Sequence, residues 1–369
     1  MARPLVPQIS AAGHPDTGMK AHLRTALILV ATLALVALFL NNANLAGVWA
    51  DVQRAEPLPL VAALGTTALT YIMRAWRWQV MLSPIGRARM AVAFRTTVIG
   101  FAANALLPAR VGEVLRPLLL ARREGLNATS CFATIVLERV LDLVTVLALL
   151  GVFVLMSDAS VTSADPRLFR AVQSAGLLAL AASVAGLVLF FFLAGHPERL
   201  GTIAARLTAK LPARIGEPLA RIVTTFSAGL TVMRQPQTLA WTLVLSVPLW
   251  LSISAGIWLV SKAFHITMPP TGTFLIVAFL TVGVAAPTPG AVGGFHVAYR
   301  AGATTFFGAS PEAAVGAAIV LHAISFVPVA VLGLVFMIQD GVQLGRLSSL
   351  REPGGGVDAS AGVERSGGA

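Results

Sequence analysis

Residues 90–121 read MAVAFRTTVIGFAANALLPARVGEVLRPLLLA. The stretch begins as an apolar membrane segment and is then interrupted by Asn104, Pro108, Arg110, Gly112, Glu113, Arg116 and Pro117. Proline removes a backbone donor and breaks a helix, and a charge at the bilayer centre costs roughly 2.5–3.5 kcal/mol on insertion scales. One straight helix does not carry such a sequence through lipid, so the stretch predicts two half-length helices around a kinked middle. Residues 273–307 pose the same problem, broken by Pro287, Pro289, Gly290, Gly293 and Gly294. The two interruptions share a pattern, PARVGE at 108–113 and PGAVGG at 289–294, which lie 181 residues apart in a chain of 369.

The remainder of the chain is membrane-like. Hydrophobic residues make up 56% of it, charged residues 12%, and the mean hydropathy is +0.81; a soluble domain carries roughly 25% charged residues, so an ordinary soluble enzyme is excluded. Six further apolar segments, 25–40, 58–73, 131–156, 171–194, 238–260 and 313–338, are each able to cross about 30 Å of hydrocarbon. The fold expected is an all-α integral membrane protein with about six full spans plus two broken or re-entrant helical hairpins in an inverted repeat. Residues 1–24 form a cytoplasmic N-terminal segment, 25–338 a polytopic membrane domain and 339–369 a Gly/Ser-rich disordered tail. The first span, led by Lys20, His22 and Arg24, reads as an uncleaved anchor because no small-x-small site follows it. The single cysteine, Cys131, sits in an apolar run, which excludes an intrachain disulfide framework.

The net charge of +11 comes from 27 Lys/Arg against 16 Asp/Glu. In a membrane protein such residues set topology, because they are retained on the cytoplasmic face. If both broken stretches return to the side they left, 18 basic residues collect on one side, among them Arg74, Arg77, Arg87, Arg89, Arg122 and Arg123. The other side receives 4: Arg54, Arg167, Arg170 and Lys262. That bias places both termini in the cytoplasm of a bacterial inner membrane and argues against nucleic acid as the partner. Within the longest basic loop, between residues 194 and 238, Leu219, Ile222, Val223, Phe226, Leu230 and Met233 recur at helical spacing and predict a helix lying in the interface.

Three clusters of charge remain to be explained. Arg110, Glu113 and Arg116 are three apart and share a helical face, so Glu113 can pair with either guanidinium. Glu138, Arg139 and Asp142 lie about two turns into their span and allow an internal ion pair with one carboxylate to spare. Arg74 and Arg77 alternate with Trp76 and Trp78 at a span end, the pattern of interfacial anchors. Arginine is suited to bidentate phosphate capture, and a proline followed by glycine frees helix N-terminal N–H groups that favour an anion. The candidate substrate-binding set is therefore Arg74, Arg77, Arg110, Glu113, Arg116, Glu138, Arg139, Asp142, Pro289, Gly290 and Gly293. The alternatives are anchoring for Arg74 and Arg77, structural ion pairs for the other charges and close helix packing for the glycines. No catalytic residue, metal or cofactor is expected.

These residues give the sequence its resemblance to the lysylphosphatidylglycerol synthase transmembrane region family of flippase-like proteins. It rests on N-x-L-L-P-x-R-x-G-E-x-x-R at 104–116, E-R-x-x-D at 138–142, P-T-P-G-x-x-G at 287–293 and R-A-x-R-W at 74–78, and it adds Asn104 and His296 to the candidate set. The family often carries a glutamate where this chain has His296, so no carboxylate is expected in the second hairpin. The soluble aminoacyl-transferase domain of bifunctional members is not expected either, nor is synthase activity. The resemblance implies movement of a phospholipid or related lipid between leaflets. The partners implied are membrane lipids, whether anionic, aminoacylated or polyprenyl-linked, with a second copy or a lipid synthase as protein partner. A membrane-embedded transferase acting on such a headgroup and a small-solute transporter are the competing readings.

Overall fold

The computed structural model describes residues 30–41, 43–107, 110–157, 165–195, 235–285 and 288–340, and every regular element among them is helical. The elements are α1 (Val30–Leu40), α2 (Leu45–Arg54), α3 (Pro57–Leu82), α4 (Met90–Leu106), α5 (Val111–Glu124), α6 (Ala128–Met156), α7 (Pro166–Gly195), α8 (Pro236–Ala263), α9 (Gly272–Ala285), a 3-10 turn (Pro289–Ala291), α10 (Gly294–Phe307) and α11 (Pro311–Gln339). Among the described residues, α3, α6, α7, α8 and α11 are long and apolar enough to span a membrane; α1 and α2, bent by 75° at their junction, count as a sixth only if the two form one broken span rather than a re-entrant loop. The chain is a multi-pass membrane protein, and its flanks fit that setting: Leu58, Leu155, Val282 and Ile338 are all more than 70% exposed, which hydrocarbon tolerates and water does not. The N-terminal segment, the interfacial helix read near Leu219–Met233 and the Gly/Ser-rich tail lie outside the described residues.

Local chemistry sets the helix ends. The side chains of Asn44, Asn127 and Ser310 accept from Ala46, Ser130 and Ala313 N–H groups, satisfying donors that a helix start leaves free. Proline stands in the first turn of α3, α8 and α11, where its missing N–H costs nothing. Helix α3 does not stop near Met73, as its apolar run suggests, but continues to Leu82. Arg74 and Arg77 are thereby set inside a helix rather than at its end.

Each broken stretch forms a pair of antiparallel arms. Arg89 and Glu124 pair at 3.1 Å across the open end of α4 and α5. Deeper in, Gly100 and Gly112 face each other so closely that a Cβ on Gly112 would collide with the Gly100 carbonyl. In the second pair Gly272 packs on Phe307 at the open end and Gly283 on the Gly294 carbonyl near the tip. The tip turns through Gly290 (φ 59°) and Gly293 (φ 88°), conformations open to glycine at little cost.

The two hairpins open at opposite ends of the bundle. Beside the first lie the end of α11, whose Asp340 pairs with Arg95 and Arg123, and the end of α3, where Trp78 Nε1 donates to Thr134 Oγ1 of α6. Beside the second lie the end of α8, joined to Tyr299 through Ser261, and the start of α3, where the Glu56 N–H donates to the Ala263 carbonyl. The tips meet inside the bundle: Arg110 Nη2 donates to the Val284 carbonyl, and Gly290 lies against the Ala105 carbonyl.

Candidate functional site

Four helices bring one arginine cluster together. Helix α3 supplies Arg74 and Arg77 on a face that also carries Thr66, Thr67 and Thr70; α6 supplies Glu138, Arg139 and Asp142 within a single turn; α5 supplies Arg116; α8 supplies Ser246 and Trp250. Arg77 is wholly buried, 2.7 Å from Asp142 and 3.5 Å from Glu138, and its Nη1 also donates to Ser246 Oγ. Arg116 reaches Glu138 at 3.1 Å and lies with its guanidinium carbon 3.9 Å from the centre of the Trp78 ring. Arg139 pairs with both carboxylates, at 2.8 and 3.7 Å, and Trp250 Nε1 donates to Asp142. Arg74 sits 3.8 Å from Asp142, flanked by the rings of Phe101 and Trp250.

Bringing six charged groups out of water costs several kcal/mol per ion, recovered only by close and well-satisfied pairing. The pairing here is unequal. Four guanidiniums share two carboxylates, and several of their nitrogens, Arg74 Nη1, Arg116 Nε and Nη2, and Arg139 Nε, have no hydrogen-bond acceptor among the described residues. Asn104 Oδ1 likewise has no donor.

The cluster forms one wall of a half-open cavity of about 480 Å³ lined by α3, α4, α5, α6, α8, α9, α11, the turn before α10 and Phe295 at the start of α10. Arg74, Arg116, Arg139 and Asp142 line it, with Arg110, Glu113 and Asn104 at the tip of the first hairpin and Gly290 at the tip of the second. Arg77 and Glu138 stand behind that wall and brace it. Hydroxyl-bearing residues, among them Thr66, Thr67, Thr70, Tyr71, Thr281 and Ser325, cover another part of the lining, and apolar residues such as Ile257, Val277, Leu280 and Leu321 much of the remainder.

This arrangement alters several expectations. Arg74 and Arg77 are buried members of the cluster, which residues anchored at the membrane surface would not be; only Trp76, 47% exposed, faces outward. Glu138 and Asp142 each lie within 4.0 Å of at least three guanidiniums, and of their oxygens Asp142 Oδ2 accepts no hydrogen bond among the described residues. Glu113 pairs with Arg110 at 3.6 Å and leaves Arg116 to Glu138. Pro289, Gly293 and His296 do not line the cavity. Gly293 packs against Leu35, its N–H donates to His296 Nδ1, and that imidazole lies 4.6 Å from the His322 ring, whose Nε2 bonds the Gly290 carbonyl. The start of α10 is thus occupied by its own side chain instead of being open to an anion. Thr66, Thr67, Thr70, Tyr71, Trp250 and His322 are absent from the sequence-based set. The first of these were within reach: Thr66, Thr70, Arg74 and Arg77 follow helical spacing along one face.

Comparison with known proteins identifies the family of the chain. A family model described as "Lysylphosphatidylglycerol synthase TM region" matches residues 24–333. A curated protein of Haloferax volcanii named "Glycosyltransferase AglD" is 29% identical over 127 residues, which make up 34% of this chain and 20% of that protein.

Proposed function

The chain belongs to the lysylphosphatidylglycerol synthase TM region family, and from that premise we propose that it moves a phosphate-bearing lipid between membrane leaflets. The observation that carries this reading is the cavity at the meeting point of the two hairpin tips, walled by buried guanidiniums with unused donors. Arg74, Arg116 and Arg139 hold the phosphate through charge-assisted hydrogen bonds, while the hydroxyl and apolar lining accommodates the linkage to the lipid chain. In this reading the opposed hairpins act as an inverted repeat whose tips part on one side or the other of the bound headgroup. Arg87, Arg89, Arg122 and Arg123 cluster at the end where the first hairpin opens, which supports a cytoplasmic position for that end and for both termini in a cell membrane.

The name of the Haloferax relative raises a second reading, transfer of a sugar or similar group onto a lipid headgroup. Such chemistry needs a poised base, and both carboxylates of the cluster are already bound by several arginines. Lipid analysis of cells lacking the chain separates the two readings. Translocation predicts an unchanged set of lipid species with altered leaflet distribution; loss of a covalent species would favour transfer instead.

A further inference from the structure

Arginine stays protonated at any physiological pH, so the charge of the site follows from its geometry. Among the described residues, five guanidiniums, of Arg74, Arg77, Arg110, Arg116 and Arg139, and three carboxylates, of Glu113, Glu138 and Asp142, stand around the cavity. The wall carries a surplus of two positive charges.

We infer that the site selects a headgroup carrying two negative charges, of the phosphate monoester or diphosphate class, over a singly charged phosphodiester or a cationic aminoacylated headgroup. The inference rests on the lipid reading above and names its substrate class. Two observations beyond the charge count carry it. Among the arginines that line the cavity, unpartnered nitrogens occur on three sides of the cluster, on Arg74 of α3, Arg116 of α5 and Arg139 of α6, with two more on Arg77 behind the wall. A terminal phosphate presents three strong acceptor oxygens to such donors, whereas a diester has lost one to its second ester link. Of the carboxylates that a cationic headgroup would need, Glu113 is paired with Arg110, and Asp142 accepts from Arg77 and Trp250 through Oδ1; its Oδ2 accepts no hydrogen bond but stands 3.8 and 3.7 Å from the Arg74 and Arg139 guanidiniums. The cavity also continues past the charges along α3 to Ala63, about 16 Å at 1.5 Å per residue, which leaves room for the first carbons of a lipid.

The test compares phosphatidic acid with phosphatidylglycerol of the same acyl chains. Each is titrated into phosphatidylcholine nanodiscs holding the full chain at pH 8, where a monoester carries close to two charges, and native mass spectrometry counts the lipid retained. The expected result is at least about tenfold tighter retention of phosphatidic acid. Arg139→Gln, which reduces the surplus to one, should shrink that preference by at least about threefold, while Arg139→Lys preserves it. Glu113→Gln, which raises the surplus to three on a partly exposed residue, should widen it; melting temperatures of all three variants report whether the fold is intact. Equal or tighter retention of phosphatidylglycerol overturns the dianion inference and leaves the lipid reading standing. Retention of neither lipid above phosphatidylcholine overturns the lipid reading itself. Glycerol 3-phosphate offers the same monoester without chains; competition by it as strong as that of phosphatidic acid would support the charge class but contradict a lipid as its source.

Discussion

Arg77 and Arg139 touch the same two carboxylates and do different work. Arg77 is fully buried behind the cavity wall, whereas the Arg139 side chain keeps 40% of its surface exposed and lines the cavity. Removing one partner of a buried ion pair typically costs 3–5 kcal/mol because the other charge is left uncompensated. Both carboxylates keep other guanidiniums when Arg77 is lost, so Arg77→Met should fall short of that full penalty and lower stability by about 1–3 kcal/mol through its lost hydrogen bonds, read as the denaturant midpoint in detergent, whereas Arg139→Gln should cost clearly less. Equal losses would contradict the division between bracing and lining residues. Most of these charges were legible in the sequence because an intramembrane charge needs a reason. For Arg74 and Arg77 the sequence left two readings, site residues or an interfacial anchor, since R-A-W-R-W suits both until α3 is known to continue to Leu82. Trp76 and Trp78 lie on opposite faces of that helix, one outward and one under Arg116; only the helix at its full length makes this visible.

The hairpins depend on glycine at close approach. Gly112→Val places a side chain where the Gly100 carbonyl stands, and overpacking of this kind costs typically 1–3 kcal/mol. One turn further along α5 is Arg116, so the same change should pull its guanidinium from Glu138 and weaken lipid retention along with stability. Gly186→Val, at a position with nothing within 4 Å on α7, is the matched control and should leave both intact. Loss of retention in the control, or none in Gly112→Val, would sink the link between arm packing and site. Proline and glycine in both broken stretches announced two helix pairs, and the structure has two. The meeting of the tips was out of reach of local pattern, because the bond from Arg110 to the Val284 carbonyl joins residues 174 apart. The capping role of His296 was within reach: it stands at the third position after a glycine N-cap, where a side chain turns back onto the helix start.

Across the whole molecule, the basic end is also fastened by charge. Asp340 closes the end of α11 onto the first hairpin through Arg95 and Arg123. Burial pushes its carboxyl upward, but hydrogen bonds from Arg123 and Arg95 outweigh that and hold it below the usual carboxylate range. A carboxyl depressed in the folded state contributes fully above its unfolded value of about 3.9 and is lost as pH falls through the folded value. Asp340→Asn should therefore lower the unfolding midpoint at pH 7, with the gap to the unmodified chain closing below about pH 4. A gap that persists or grows in acid would contradict the clasp. Topology has its own check: cysteines introduced at Arg54 or Arg167 should react with an impermeant maleimide in intact cells, and those at Arg87 or Arg122 only after permeabilisation. The reverse pattern would invert the orientation.

Leaflet exchange in vesicles tests the central claim most directly. The purified chain, reconstituted into liposomes with a trace of headgroup-accessible fluorescent phosphatidic acid, should let an impermeant quencher reach the inner-leaflet half far faster than in protein-free liposomes. Arg139→Ala and Glu113→Ala should each return the rate toward the protein-free level while the protein remains folded. Exchange no faster than in empty liposomes, or unchanged in both variants, would contradict the account.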